Sequence, residues 1–390
     1  MKNFYIFFYL FTLLNPCIFS QENKIIGDYK SYFENTREIP YLHLNKTSFL
    51  KGEQIWFQAY IIEQNSNKLH PTSSNLYVSI FEESGKLKEQ HLVKIQNGLG
   101  RGNISIDSSF TKENYYLKAS TKWMKNFPEQ NAFQQKISII SNNIKEKKTT
   151  TLKEKDFFEF ELFPEGGHYL GNALNNVSVL VKNANNEGIS IKKGYVKDKE
   201  DNIIASFKTN EFGLGKVSLF INKGEDYVFE AELPNGSILK KRTEETRDIG
   251  VLLKTSTKEK NLEIVIETNP TSLALLENKQ FKIFIHNTRK YNSFNVKFLK
   301  TSLKYVLNID KNKIPTGINI ITLFNDENNA ISERLIYNEI ENISSKIGLE
   351  KIKIKKDTLH LSIKNTSTDI VNLSASFLPN LSKAYTNTNN

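Results

Sequence analysis

Residues Tyr41–Tyr60 read YLHLNKTSFLKGEQIWFQAY, a strand, a polar turn and a second strand. Tyr41, His43 and Asn45 alternate with Leu42, Leu44 and Lys46; Ile55, Phe57 and Ala59 alternate with Trp56, Gln58 and Tyr60. Successive side chains leave opposite faces of an extended backbone, so alternation in two neighbouring runs is the signature of half-buried strands. Lys51-Gly52-Glu53 supplies turn chemistry between them. The stretch predicts the opening of a β-sandwich and not an enzyme site.

The same punctuation continues outward. Leu76–Glu82 (LYVSIFE), His91–Gln96, Gly102–Ile106, Asn114–Ser120 and Gln135–Ile140 are alternating or β-branched runs, separated by Ser84-Gly85, Asn97-Gly98 and residues 107–110. Strands at this spacing predict an antiparallel two-sheet sandwich over residues 40–143. Residues 144–155 lie in a charged, nearly apolar-free stretch (NNIKEKKTTTLKEK from Asn142) and read as a linker. A second sandwich is expected over 156–247. It opens with FFEFELF and Pro164-Glu165-Gly166-Gly167-His168, then continues through Val177–Lys182, Lys193–Lys197, Ile203–Lys208, Lys216–Phe220 and Tyr227–Leu233. A third is expected over 248–343. Residues 344–390 hold only Lys351–Lys355, Thr358–Lys364 and Ile370–Ser376 as strand-like runs, too few to close a sandwich, so a partial fourth unit is expected there.

Lys46, Phe49, Gly52, Glu53, Ile55, Trp56 and Phe57 follow a Lys-x-x-[FY]-x-x-Gly-Glu-x-[IV]-Trp-[FL] pattern. In this the chain resembles the first hairpin of the macroglobulin-type domain of alpha-2-macroglobulins and of large Bacteroidetes cell-envelope proteins. Phe163-Pro164-Glu165-Gly166-Gly167 with the Thr209–Gly215 turn is similar to the second sandwich of that envelope family. Pro315–Tyr337, with Glu333-Arg334-Leu335-Ile336, resembles a terminal hairpin of it. The likeness runs over about Tyr41–Pro379, strongest at the two hairpins. It implies an all-β chain of tandem immunoglobulin-like, macroglobulin-type antiparallel sandwiches, and the N-terminal part of a design that in relatives continues into further domains, often a plug-like domain related to TonB-dependent receptors.

Composition agrees with globular domains. Hydrophobic residues make up 38% and charged residues 25% of 390, with 26 Phe and 16 Tyr, enough for several cores of roughly 100 residues each. Met1–Ser20 carries Lys2, the apolar run Phe4–Leu14 and a short stretch before Gln21, the form of a secretory signal peptide. Residues 21–39 form a lead-in, helical or extended, that stops at Pro40. No later run is long and apolar enough to span a membrane. Cys17 is the only cysteine, so a chain cleaved after Ser20 has neither disulfide nor thiol chemistry. The net charge of +10 falls to +9 with loss of Lys2. Its lysines are scattered, without a basic patch interleaved with aromatics, which speaks against nucleic acid.

The candidate sites each have a structural reading. Gly52-Glu53-Gln54 resembles the thioester sequence of defence macroglobulins, but Lys51 stands where the cysteine must be, so no thioester forms. Glu53 is expected to cap or ion-pair locally. His43, His70, His91, His168, His286 and His360 show no metal-ligand spacing, and Glu165–His168 (EGGH) reads as a flexible surface turn rather than a metal site. Glu82-Glu83 and Glu244-Glu245 read as solvated. Trp56 is expected in the core, and Trp123 in an exposed loop, where with Tyr115 or Tyr116 it would form a carbohydrate platform.

The expectation is an exported, non-catalytic envelope protein, periplasmic or associated with the outer membrane, with no catalytic residue, cofactor or metal. It would be a structural and interaction module with a protein partner, docking to an outer-membrane transport or surface complex. Two alternatives stay open: an endopeptidase-inhibitor fragment lacking a thioester, and a carbohydrate-binding or adhesion module with a polysaccharide ligand.

Overall fold

The structure of the protein, a computed structural model, describes residues 17–129, 131–140, 158–184, 186–339, 347–355, 358–366 and 371–378. Most of the expected signal peptide and the whole expected linker 144–155 lie outside the described residues. The chain is all-β apart from two α-helices and two single 3-10 turns among the described residues. It divides into two compact units. One holds Ile26–Thr149 with Asn342–Asn390, and the other Thr150–Glu341 with Met1–Ile25.

Helix α1 (Cys17–Tyr32) runs through the lead-in, and the first unit is built on a sandwich. The strands are β1 (Glu38–Leu44), β2 (Ser48–Leu50), β3 (Gln54–Glu63), β4 (Lys68–Leu69), β5 (Asn75–Glu82), β6 (Leu87–Lys94), β7 (Leu99–Ser105), β8 (Asn114–Ser120) and β9 (Phe133–Ile140). One sheet pairs β3 with β1, β4 and β7; the other has the order β2-β9-β8-β5-β6. β1 and β3 are antiparallel, with Tyr41 opposite Tyr60 and Leu44 opposite Phe57. The link between them is more than a turn: β2 crosses to the second sheet and pairs parallel with β9, which carries Phe49 into the core. Leu42, Leu44, Ile55, Ala59 and Ile61 from one sheet meet Leu76, Val78, Ile80, Tyr115 and Leu117 from the other, all fully buried. Each such aliphatic side chain contributes about 1.5–3 kcal/mol by leaving water.

Trp56 is not in this core. With Ile55 and Phe57 inside, alternation sends its indole to the outer face, where it is 55% exposed. Aromatic size argued for burial, and strand parity overrode it.

The second unit holds two sandwiches. Strands β10 (Phe158–Pro164), β11 (Tyr169–Leu170), β12 (Ala173–Asn183), β13 (Lys193–Lys197), β14 (Ile203–Phe207), β15 (Leu214–Ile221), β16 (Val228–Glu232), β17 (Ile238–Arg242) and β18 (Thr246–Arg247) build the first of them. Its sheets are β10-β12-β15 and β14-β13-β16-β17, with β11 and β18 as a short parallel pair. The core is centred on Val177, Val179, Val181, Val196 and Phe229. The other sandwich packs β19 (Val251–Thr257), β20 (Asn261–Thr268) and β23 (Lys304–Asp310) against β21 (Gln280–His286), β22 (Tyr291–Lys297), β24 (Gly317–Phe324) and β25 (Ala330–Asn338). Helix α2 (Pro270–Leu276) sits between β20 and β21. Asn269 caps it, accepting from Ser272 N–H at 2.7 Å, and Pro270 opens its first turn.

Beyond these, β26 (Ile347–Lys355) and β27 (Thr358–Asn365) form an antiparallel hairpin in the first unit. The third run expected here is not a paired strand among the described residues: 371–378 have no ladder partner.

Candidate functional site

The outer face of β1, β3 and β7 is polar and aromatic. Cross-strand register sets Tyr41 opposite Tyr60, His43 opposite Gln58, and both of the latter pairs' β3 members opposite Leu99 and Arg101 of β7. Trp56 stands opposite Asn103. The Tyr41 and Tyr60 rings lie 6.4 Å apart, and Tyr41 is 46% exposed. Asn45 closes the row: its Oδ1 accepts from Trp56 N–H at 3.0 Å and its Nδ2 donates to Gln54 O at 3.2 Å. Asn103 Nδ2 donates to Gln54 Oε1 at 3.1 Å. His43, Asn45, Trp56, Gln58, Arg101 and Asn103 of this face line an open cleft of about 430 Å³.

Residues 371–378 of the same unit border this cleft. Ser374, Ser376 and Leu378 turn toward the protein, while Leu373, Ala375 and Phe377 are exposed. Tyr60 OH donates to Ser374 Oγ at 2.8 Å, and Ser374 Oγ lies 2.7 Å from His43 Nδ1. With the Ser374 proton directed to Nδ1, His43 carries its own proton on Nε2, facing Ser376 Oγ at 3.5 Å. The result is a relay from Tyr60 through Ser374 and His43 to Ser376.

At one end of the same sandwich a second polar cluster surrounds Glu38. Its carboxylate accepts from the Ser73 and Thr121 hydroxyls, and His70 Nδ1 lies 3.9 Å away. All four side chains are buried. Ser73 N–H also points at His70 Nδ1, at 3.2 Å. The Ser73 hydroxyl therefore sits between two acceptors, Glu38 and Nδ1 at 2.9 Å, with one proton to share. In a nucleophile triad the imidazole lies between acid and serine; here the serine lies between acid and imidazole. The geometry ties three chain segments together at the sandwich end. Sequence reading missed it because Glu38 is remote from Ser73 and Thr121 along the chain.

The Pro164–His168 segment is not a flexible surface turn. Glu165 is buried and joins the two sandwiches of the second unit: Oε1 accepts from Thr255 N–H at 3.0 Å and from Arg334 at 3.2 Å, and Oε2 from Asn176 Nδ2 at 2.6 Å. Gly166 has φ +94°, and a Cβ there would meet Ser332 Oγ at 3.3 Å and Leu253 N at 3.4 Å. Close approach of the two sandwiches and a left-handed backbone both call for glycine. Nearby, Lys254 Nζ bonds Leu174 O at 2.5 Å and Glu267 Oε2 at 2.6 Å, and Asn269 Nδ2 reaches Gly171 O at 2.7 Å. Leu170, Ala173 and Leu252 form a small apolar cluster beside them. Burial and the nearby Arg247 hold the His168 imidazole below its ordinary pKa.

The other residues singled out in the sequence separate in space. Glu53 takes Lys46 Nζ at 2.5 Å and Leu50 N–H at 2.7 Å, and the Lys46 contact holds its carboxyl below the usual range. Tyr115 cannot join a platform with Trp123, because its position on β8 points inward and buries it completely, while Tyr116 on the other face is 40% exposed. Trp123 is partly exposed and anchored by Nε1–H to Thr36 O at 2.8 Å. Glu83, Glu244 and Glu245 are exposed and Glu82 half-buried. No group of three or more His, Cys, Asp or Glu residues able to hold a metal occurs among the described residues, and none of their helices is long and apolar enough to cross a membrane.

No protein-family model and no curated protein matches the chain. Among solved structures it is similar to dimeric latent PorU from Porphyromonas gingivalis, at 12% identity over 78% of this chain and 34% of that one, TM-score 0.35. It is similar to native E. coli alpha-2-macroglobulin at 10% identity over 84% of this chain and 25% of that one, TM-score 0.23. A tetra-tandem repeat from the extending region of a large adhesion protein aligns at 10% identity over 86% of this chain and 89% of that one, TM-score 0.20. The chain thus spans about a third of the PorU chain and a quarter of the macroglobulin chain.

Proposed function

We propose that the chain is a non-catalytic, exported envelope protein whose macroglobulin-like sandwiches act as a structural and interaction module, docking a protein partner of an outer-membrane transport or surface complex. The observation that carries this reading is an apolar row on the outer face of β24 and β25. Ile318 lies opposite Tyr337, and Ile320 opposite Leu335; Ile318, Leu335 and Tyr337 are 66%, 65% and 61% exposed. Contiguous exposed apolar side chains on a soluble sandwich mark protein contact surfaces. The shared Ser73 proton supports a structural role for the Glu38 cluster, and the signal-peptide pattern of Met1–Ser20 supports export.

The test places a photo-crosslinking residue at Ile318 in the full exported chain and compares it with a version carrying Leu335→Glu and Tyr337→Glu. A discrete adduct in the envelope fraction that disappears in the doubly charged version is expected. Adducts of equal yield in both, no adduct, or a chain that fractionates with the cytoplasm would overturn the proposal.

A further inference from the structure

We propose that the outer face of β1, β3 and β7 is a saccharide-binding platform, and that Ser374 and Ser376 cover it as a displaceable strap. This is independent of the partner surface on β24 and β25, since it concerns the other compact unit.

Three observations converge on a saccharide. First, Trp56 and Tyr41 expose their rings on the same outer strand face. An exposed indole gains nothing from the core below it, but its face matches the C–H face of a pyranose, which would leave water against it. Second, the groups around those rings are hydroxyl partners that both donate and accept: Gln58, Asn103, His43 and Tyr60, with Arg101 as the only charged side chain among the described residues that line the cleft. With no carboxylate among its described lining residues the cleft suits neutral or anionic ligands rather than cations, and a single guanidinium is too little for a nucleic-acid backbone. Third, the partners that His43 and Tyr60 hold are hydroxyls. Ser374 Oγ, at 2.7 and 2.8 Å, and Ser376 Oγ, at 3.5 Å, stand where sugar hydroxyls would bond.

The strap is suited to release. Residues 371–378 form no ladder with the sheet, and they expose Leu373 and Phe377 at 52% and 68%. Among the described residues it is the Ser374 and Ser376 hydroxyls that bond it to the sheet, and a ligand offering equivalent hydroxyls plus a stacking face exchanges like for like at His43 and Tyr60. A covered site binds with affinity reduced by the fraction of time it is open, so weakening the strap should strengthen saccharide binding.

The experiment is affinity electrophoresis of the full mature chain in gels containing laminarin, glucomannan, xylan or dextran. The parent is compared with Trp56→Ala, Trp56→Phe, Trp123→Ala and the double variant Ser374→Ala/Ser376→Ala. At least one polysaccharide should retard the parent. Trp56→Ala should weaken that binding roughly tenfold or more, Trp56→Phe less, and Trp123→Ala should match the parent. The strapless double variant should bind roughly threefold tighter or better. The conservative Phe variant keeps the test decisive if the Ala variant fails to fold. Absence of retardation for both parent and double variant overturns the proposal, as does Trp56→Phe binding with parental affinity or a double variant no tighter than the parent. Self-association abolished by Trp56→Ala, without polysaccharide retardation, would assign the face to a second copy of the chain and likewise overturn it.

Discussion

Replacing Glu165 should uncouple the two sandwiches of the Thr150–Glu341 unit. Its side chain is 4% exposed and accepts three bonds, from Thr255 N–H, Asn176 and Arg334. Glu165→Ala leaves the Thr255 amide without its acceptor, a loss of about 1–3 kcal/mol for a buried donor. It also removes a charge-assisted bond to Asn176, about 1.5–3 kcal/mol. The Arg334 side chain is 31% exposed and can turn to water, so its share is under ~1 kcal/mol. Some of these losses are recovered by water entering the gap, and about 3 kcal/mol in total is expected. For a unit of this size that corresponds to a fall of roughly 6–12 °C in Tm. Differential scanning calorimetry of the full chain, with Arg334→Ala and the double variant completing a cycle, measures it. Arg334→Ala alone should cost well under half as much as Glu165→Ala. A Glu165→Ala loss below ~1 kcal/mol, or an Arg334→Ala loss equal to it, would refute the assignment of the buried amide and Asn176 as the dominant partners.

Lys254→Met should cost about 1–3 kcal/mol, because buried Glu267 loses its partner at 2.6 Å and keeps the half-exposed Lys304 at 3.5 Å, and Lys254→Met with Glu267→Leu should recover most of it, as read by urea denaturation. Gly213→Ala should destabilise by about 3 kcal/mol or more, since φ is +73° and a Cβ would fall 2.0 Å from Val181 O; the same denaturation series checks it, and parental stability would contradict the turn geometry. Burial depresses the His168 and His286 pKa values. Below the ordinary imidazole value of about 6.5 the unfolded chain therefore binds more protons, and stability is full above that pH and declines as pH falls toward the folded-state values. Tm should drop between pH 7.5 and 5.5, and His168→Gln should shallow the slope; an unchanged slope would remove His168 as a contributor.

The legible part of the fold was local. Leu42, Leu44, Ile55, Phe57 and Ala59 face the core as their alternation demanded, because strand parity is a property of consecutive residues. The same parity placed Trp56 outside, and only the habit of burying large aromatics obscured it. The sequence runs marked Asn114–Ser120 and Lys193–Lys197 with the limits the strands have. They did not mark β23, whose Lys304–Asp310 lies among polar neighbours, nor α2, which is a bare two turns set by Asn269.

The sequence by itself determined an all-β chain, with the inward and outward sides of its main strands, since both follow from side-chain polarity along a short stretch. Tertiary structure alone decided that Glu165 is a buried joint rather than a surface turn, that Glu38 gathers Ser73 and Thr121, and that Ser374 meets His43 and Tyr60. The partners in these contacts come from separate segments, as far apart as His43 and Ser374, and nothing in either local pattern encodes the other. Local polarity chooses a face; which groups meet across that face depends on sheet order and chain return, and those exist only once the cores have formed.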